Sequence, residues 1–176
     1  NRQKRNGEKF RNHDREHVYM DEFGNPLHLV GIDGTGNRKS VIQYHRVNGK
    51  WRIGKPKRVV PYRLPELIRA VQAGDPVYVV EGEKDADTMH RLGFTATTNP
   101  GGAGKWPESD DFNRYFQRAK VIILPDNDEA GRKHAEKVAE ILRKWTDDIR
   151  IVHLPGLPEK EDVTYWFEKG GTVQEL

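Results

Sequence analysis

Three short acidic stretches of this 176-residue chain have the composition to do chemistry: Glu81-Gly82-Glu83-Lys84-Asp85, Asp126-Asn127-Asp128-Glu129 and Lys160-Glu161-Asp162. Each follows a compact apolar run, at residues 76–80, 121–124 and 149–154, of a length that suits a buried strand. Ligands of open α/β sheets bind beyond the carboxyl ends of the strands, so the three stretches should share one rim. Asp126 and Asp128 are two apart, and in an extended segment both side chains point the same way. Gly82 lets the backbone turn sharply after Glu81. Like carboxylates crowd together only around a compensating cation. A hard, oxygen-seeking ion fits best, Mg²⁺ or Mn²⁺, of the kind held by one or two carboxylates plus substrate phosphate. Each acid also has an architectural use. Asp128 and Asp162 can N-cap helices, and Glu83 and Asp85 can favour a helix start through the macrodipole. Their joint placement at three strand ends is what favours a metal site.

Two other motifs fail on spacing. Asp126-x-Asp128-x-Ala130-Gly131 starts like an EF-hand loop, but its twelfth position is Lys137, where a bidentate Glu is required. Gly101-Gly102-Ala103-Gly104-Lys105 is too short for a P-loop, and Trp106 stands where Ser or Thr should be. Such a loop still exposes backbone N–H groups, and Lys105 adds a charge. It reads equally as a phosphate-holding loop and as ordinary surface.

The elements that must position these residues change character along the chain. Residues 18–20, 27–32, 41–47 and 51–53 read as short strands, with Asn48-Gly49 as a hairpin turn. From Asp75 strands and helices alternate, which implies a mostly parallel sheet with helices on both faces. Helices are expected over residues 65–73, 84–92, 110–119, 129–145 and 162–169. The organisation expected is a flexible basic arm or linker over 1–16, a small basic β-rich subdomain over 17–60, and an α/β domain over 61–176. Charge follows the same division. Residues 1–70 hold 16 Lys and Arg against 7 Asp and Glu, a net of +9, and the remainder holds 14 against 20, a net of −6. A basic half suggests phosphate as its partner and an acidic half suggests metal. There is no cysteine, so disulfides and cysteine-containing zinc sites are excluded from this stretch. No apolar run approaches the roughly 20 residues of a membrane helix, and residues 1–5 have neither a Met nor a signal-peptide core. The expectation is a piece of a longer cytoplasmic protein.

The stretches Val79-Val80-Glu81-Gly82-Glu83-Lys84-Asp85-Ala86 and Leu124-Pro125-Asp126-Asn127-Asp128-Glu129-Ala130-Gly131 resemble the two signature motifs of the TOPRIM fold. That fold is shared by bacterial-type primases, type IA and type II topoisomerases and some nucleases. The motif Glu corresponds to Glu81 and the Asp-x-Asp pair to Asp126 and Asp128. The spacing and the following Gly131-Arg132 are most similar to primases of phages and mobile elements, often fused to a helicase. In that branch a further acid near the end of the domain joins the metal site, and Asp162 is its match. The resemblance covers about residues 60–171. It implies Mg²⁺-dependent synthesis of RNA primers from NTPs on a single-stranded DNA template, with a replicative helicase domain or subunit as partner. Asp126, Asp128 and Asp162 would hold metal, and Glu81 would hold metal or act as general base. Lys84 and Lys105 would meet phosphate beside them. In the front half Arg38, Lys39, Arg46, Lys50, Arg52, Lys55, Lys57 and Arg58 would contact nucleic-acid phosphates, and Trp51 and Tyr44 would stack bases, although aromatic residues in strands are more often core. A TOPRIM nuclease, or a non-catalytic nucleic-acid-binding module, remains open on the same residues. The zinc-binding domain common upstream in this family is not in this stretch.

Overall fold

A computed structural model describes residues 11–35 and 38–176. The chain divides into two compact units, Asn1–Val60 and Pro61–Leu176.

The first unit is an antiparallel meander of β1 (Arg15–Met20), β2 (Pro26–Asp33), β3 (Ser40–Val47) and β4 (Lys50–Ile53), in that spatial order. Asn48 (φ 50°) and Gly49 (φ 75°) make the tight turn that sets Val47 opposite Lys50. Strand β2 is buried on both faces, with Leu29 on one and Val30 and Ile32 on the other. Gly31 is needed there. A Cβ at this position would lie 2.2 Å from the His13 ring, which rests on the strand and bonds Asp33 (3.1 Å) and Tyr44 Oη (2.7 Å). Arg11 also pairs with Asp33, and the Asp14 carboxylate accepts the Gly34 N–H. The flexible arm expected over 1–16 is therefore corrected for residues 11–16: they are bonded to β2, and β1 already starts at Arg15. Residues 1–10 of that arm lie outside the described residues.

The second unit runs α1 (Leu64–Ala73), β5 (Pro76–Val79), α2 (Glu83–Arg91), β6 (Ala96–Thr97), α3 (Asp110–Asn113), β7 (Lys120–Ile123), α4 (Glu129–Leu142), β8 (Ile149–Ile151) and α5 (Val163–Glu168). Its sheet is parallel throughout, in the order β6-β5-β7-β8. The chain leaves β5 through α2 towards one edge and leaves β7 through α4 towards the other. Right-handed crossovers then place α2 and α4 on opposite faces. Strand order thus reverses between β5 and β7, the position at which α/β sheets open a crevice at their carboxyl ends. Leu67, Val77, Met89, Val121, Val138 and Leu142 are closed off from water. Burial of side chains of this size stabilises by about 1.5–3 kcal/mol apiece.

Two helices are shorter than their apolar pattern predicts. Helix α3 ends at Asn113 and gives way to a 3₁₀ turn, Arg114–Phe116, before Arg118 takes a left-handed φ of 61° and donates its N–H to Trp145 O. The buried Asn113 side chain occupies nearby groups, donating to the Pro107 and Ser109 carbonyls and accepting the Trp106 indole N–H. Helix α4 stops at Leu142, and Trp145 follows in a tight turn onto the Leu142 carbonyl.

Candidate metal centre

Glu81, Asp126 and Asp128, and Asp162 stand at the carboxyl side of β5, β7 and β8. The first three flank the point where strand order reverses. The segment between Asp126 and Asp128 is not extended, as the spacing argument assumed. Asp128 N–H bonds back to Asp126 O at 2.8 Å, so the chain folds tightly around Asn127. Gly131 makes this turn possible, since a Cβ there would sit 2.5 Å from Asp126 O. Asn127 ties the turn to the loop that carries Asp162. Its N–H donates to Glu161 O, its carbonyl accepts Lys160 N–H, and its side-chain amide donates to Leu157 O at 2.6 Å.

The capping roles exist alongside the site. Asp128 Oδ1 accepts Gly131 N–H at 2.7 Å and caps α4, while Oδ2 accepts no bond among the described residues. Asp162 is more committed: Oδ1 accepts Tyr165 N–H and caps α5, while Oδ2 takes the Lys84 ammonium at 2.5 Å. Lys84 also lies 3.8 Å from Asp85, so its charge is engaged by carboxylates at this rim. Burial opposes that charge, yet the bond to Asp162 and the pull of Asp85 leave the ammonium harder to deprotonate than usual.

The acids repel one another. Burial first, then Glu81, Asp85, Asp162 and Asp128, push Asp126 up to about 8. Burial and the same neighbours, Asp128, Asp85 and Asp162, raise Glu81. Asp85, 5% exposed, is pushed to about 6 by burial, against the relief of a 2.6 Å bond from the Thr164 hydroxyl. Mutual elevation of this kind marks a site that a cation would relieve. Among the described residues no group of three or more His, Asp or Glu side chains closes into a metal cage. The carboxylates sense one another across the rim without meeting around a point. That is an open arrangement, of the sort in which Mg²⁺ keeps waters or substrate oxygens as its remaining ligands. The donor set fits a hard divalent ion in kind.

Sequence reasoning missed Asp85, Asn127 and Thr164. Asp85 stands in the same motif, four residues after Glu81, but its burial against α5 depends on Thr164, 79 positions away. In the first unit Arg38, Lys39, Arg46, Lys50, Arg52, Lys55, Lys57 and Arg58 are all exposed. Arg58 pairs with Glu22, and Arg46 lies over the Trp51 ring at 5.0 Å. Base stacking by Tyr44 is corrected: the ring is 0% exposed and bonded to His13. Lys105 is exposed on the loop after β6.

A family profile described as Toprim-like matches residues 78–164. The DNA primase DnaG of Aeropyrum pernix is 30% identical over 115 residues, covering 65% of this chain and 25% of that protein. The DNA primase DnaG of Staphylothermus marinus is 28% identical over 112 residues, 64% of this chain and 24% of its own length. The chain therefore spans about a quarter of the curated relatives it matches. A solved DNA primase domain from Pseudomonas aeruginosa superposes with a TM-score of 0.63 at 23% identity, over 88% of this chain and 46% of that one. With the Glu81 and Asp126-x-Asp128 motifs on the rim of a parallel β6-β5-β7-β8 sheet, Pro61–Leu176 has the fold seen in the solved primase domain and, over residues 78–164, is similar to the Toprim-like family.

Proposed function

We propose that the second unit is the catalytic centre of a Mg²⁺- or Mn²⁺-dependent primase, which builds an RNA primer from NTPs on a single-stranded DNA template. The single observation that carries this reading is the set of mutually repelling carboxylates at the strand-order reversal, with Asp126 pushed up to about 8. A divalent ion bound there would neutralise triphosphate charge and orient the reacting groups. Asp126 and Asp128 would hold it, with Asp162 as the outer acid once Lys84 is displaced. Glu81 is a carboxylate whose affinity for protons is raised by burial and by Asp128. That suits a general base for the primer 3′-hydroxyl better than an ordinary surface acid would. The net +9 of residues 1–70 would hold the template through phosphate contacts.

The protein would work in the cytoplasm, in replication of a phage or mobile element, beside a replicative helicase. Among the described residues no helix is long and apolar enough to cross a membrane. The test incubates the intact protein with single-stranded template, labelled NTPs and Mg²⁺. Extension products that vanish in Asp126→Asn support the reading. Template degradation would assign the same acids to a nuclease, and neither outcome would leave a binding module.

A further inference from the structure

Residues 99–105, which connect β6 towards α3, are fastened on both sides of the strand-order reversal. At the β6 end, Thr98 Oγ1 donates to the carbonyl of Glu81 at 3.0 Å, and the buried Asn99 amide donates to Gly102 O at 3.1 Å. At the other end, Gly104 N–H donates to His134 Nδ1 at 3.0 Å. His134 lies on α4, one turn beyond the Gly131 that packs on Asp126. The loop thus runs from the Glu81 side of the site to the Asp126 side.

Its surface offers positive charge and room. The backbone N–H groups of Gly101 and Ala103 donate to nothing among the described residues. A Cβ added at Gly102 or Gly104 would meet no atom within 4 Å, so a ligand can approach the backbone closely. Lys105 folds back towards Gly101 and makes no ion pair among the described residues, whereas Lys84 is held by Asp162 and Asp85. The supports themselves are unsatisfied. Asn99, 0% exposed, has Oδ1 without a partner, and His134, 7% exposed, has Nε2 without one. Because His134 Nδ1 accepts from Gly104, its proton sits on Nε2, which leaves a buried donor beside the loop as well as a buried acceptor. Buried polar groups left without partners are uncommon and point to a ligand or water not yet counted.

We infer that residues 101–105 bind the β- and γ-phosphates of a nucleoside triphosphate, and the pyrophosphate that leaves it. The inference deepens the primase reading and rests on it for the identity of the nucleotide. The acidic rim repels a polyphosphate except through a cation. The loop supplies Lys105 and two free N–H donors at its border, a combination suited to phosphate oxygens. A single-stranded DNA backbone offers the same oxygens, and the test separates the two sources.

The experiment is calorimetric titration of the intact protein with inorganic pyrophosphate, and separately with oligothymidylate, at fixed Mg²⁺. Lys105→Ala is expected to weaken pyrophosphate binding about tenfold, Lys105→Arg to restore most of it, and neither to change oligothymidylate binding. Circular dichroism of Lys105→Ala should match the parent, since the side chain is exposed. Unchanged pyrophosphate affinity in Lys105→Ala, or no pyrophosphate binding by the parent, overturns the inference. Weakened oligothymidylate binding with intact pyrophosphate binding would assign the loop to DNA and also overturn it. A protein that binds pyrophosphate through Lys105 yet makes no primer retains the site and loses the primase reading. A protein that makes primers with a pyrophosphate affinity indifferent to Lys105 does the reverse.

Discussion

The two units handle charge in opposite ways. In the first, cations are spread along exposed strand and loop positions, and Lys39, Lys50, Arg52, Lys55 and Lys57 form no ion pair among the described residues. In the second, Glu81, Asp85 and Asp126 are buried or half-buried on one rim, where burial and neighbouring carboxylates raise the affinity of each for protons. Dispersed surface charges act nearly independently and are screened by salt. Buried like charges act as a coupled group whose protons and cations are shared. The first arrangement suits a long polyanion, and the second suits one small cation.

The largest effect that would sharpen this contrast is loss of activity. Asp126→Asn and Asp128→Asn should each reduce metal-dependent synthesis by at least about 100-fold, the scale seen when a single electrostatic stabiliser is removed. The fold should persist, because Asn caps α4 about as well as Asp does. The acids also dictate a direction with pH. The folded carboxyl of Asp126, at about 8 against an ordinary 3.8, binds more protons than the unfolded chain between those values. Stability without metal should therefore be greatest below about pH 4 and decline as the pH rises towards 8. Asp85 adds the same sign up to about 6. Added Mg²⁺ should restore stability at pH 8 and do little at pH 5. Thermal melts of the parent and Asp126→Asn at both values check this, and an equal pH slope in the two proteins would break the account of mutual repulsion.

A smaller effect concerns how the acidic rim is held. Thr164→Val leaves buried Asp85 without its hydroxyl donor and should cost about 1–3 kcal/mol in urea unfolding at neutral pH. The loss should shrink at pH 4, where the folded Asp85 is protonated and the Thr164 hydroxyl bonds a neutral carboxyl rather than a carboxylate. Smaller still is the response of the basic unit. Lys55→Ala with Lys57→Ala should flatten the salt dependence of single-stranded DNA binding by about 1.4 in log–log slope, two contacts at ~0.7 each. Adding Arg58→Ala should change it by less than a third such step, because Arg58 already pairs with Glu22. The smallest expected change is that of Glu81→Gln on DNA affinity, within about twofold by the same electrostatic reasoning, even as synthesis is lost. A large fall in affinity would mean that the two units do not divide the work as their charges suggest.

Much of this was legible in the sequence, and the reasons it stopped are physical. The β3–β4 hairpin follows from Asn48-Gly49, and the parallel sheet from apolar runs alternating with helical periods, because each is a local pattern. The acidic motifs were visible at the strand ends for the same reason. Tyr44 stood open between base stacking and core because an aromatic in a strand looks alike on either face, and it is His13, 31 positions away, that covers it. Asp85 read as a helix-start charge because its burial is a tertiary fact, made by Thr164 on α5. The turn at Asn127 was hidden too. Nothing in the spacing of two aspartates tells that Gly131 will pack onto the first and fold the pair out of an extended line.

The strand order also bears on how the chain acquires its structure in time. The antiparallel meander zips between neighbours, beginning with Val47 and Lys50 across a two-residue turn, so its early loops are cheap in entropy. The parallel sheet has no such start. Even the nearer parallel pairs, β5–β6 and β7–β8, each close across an intervening helix, and Val77 must find Val121 across 43 intervening residues before the central β5–β7 pair exists. Contacts so distant along the chain slow folding. The two acidic motifs lie just beyond the ends of these same two strands, so the rim should be the last part of the molecule to assemble. In refolding experiments, antiparallel structure should form before any Mg²⁺-dependent signal does.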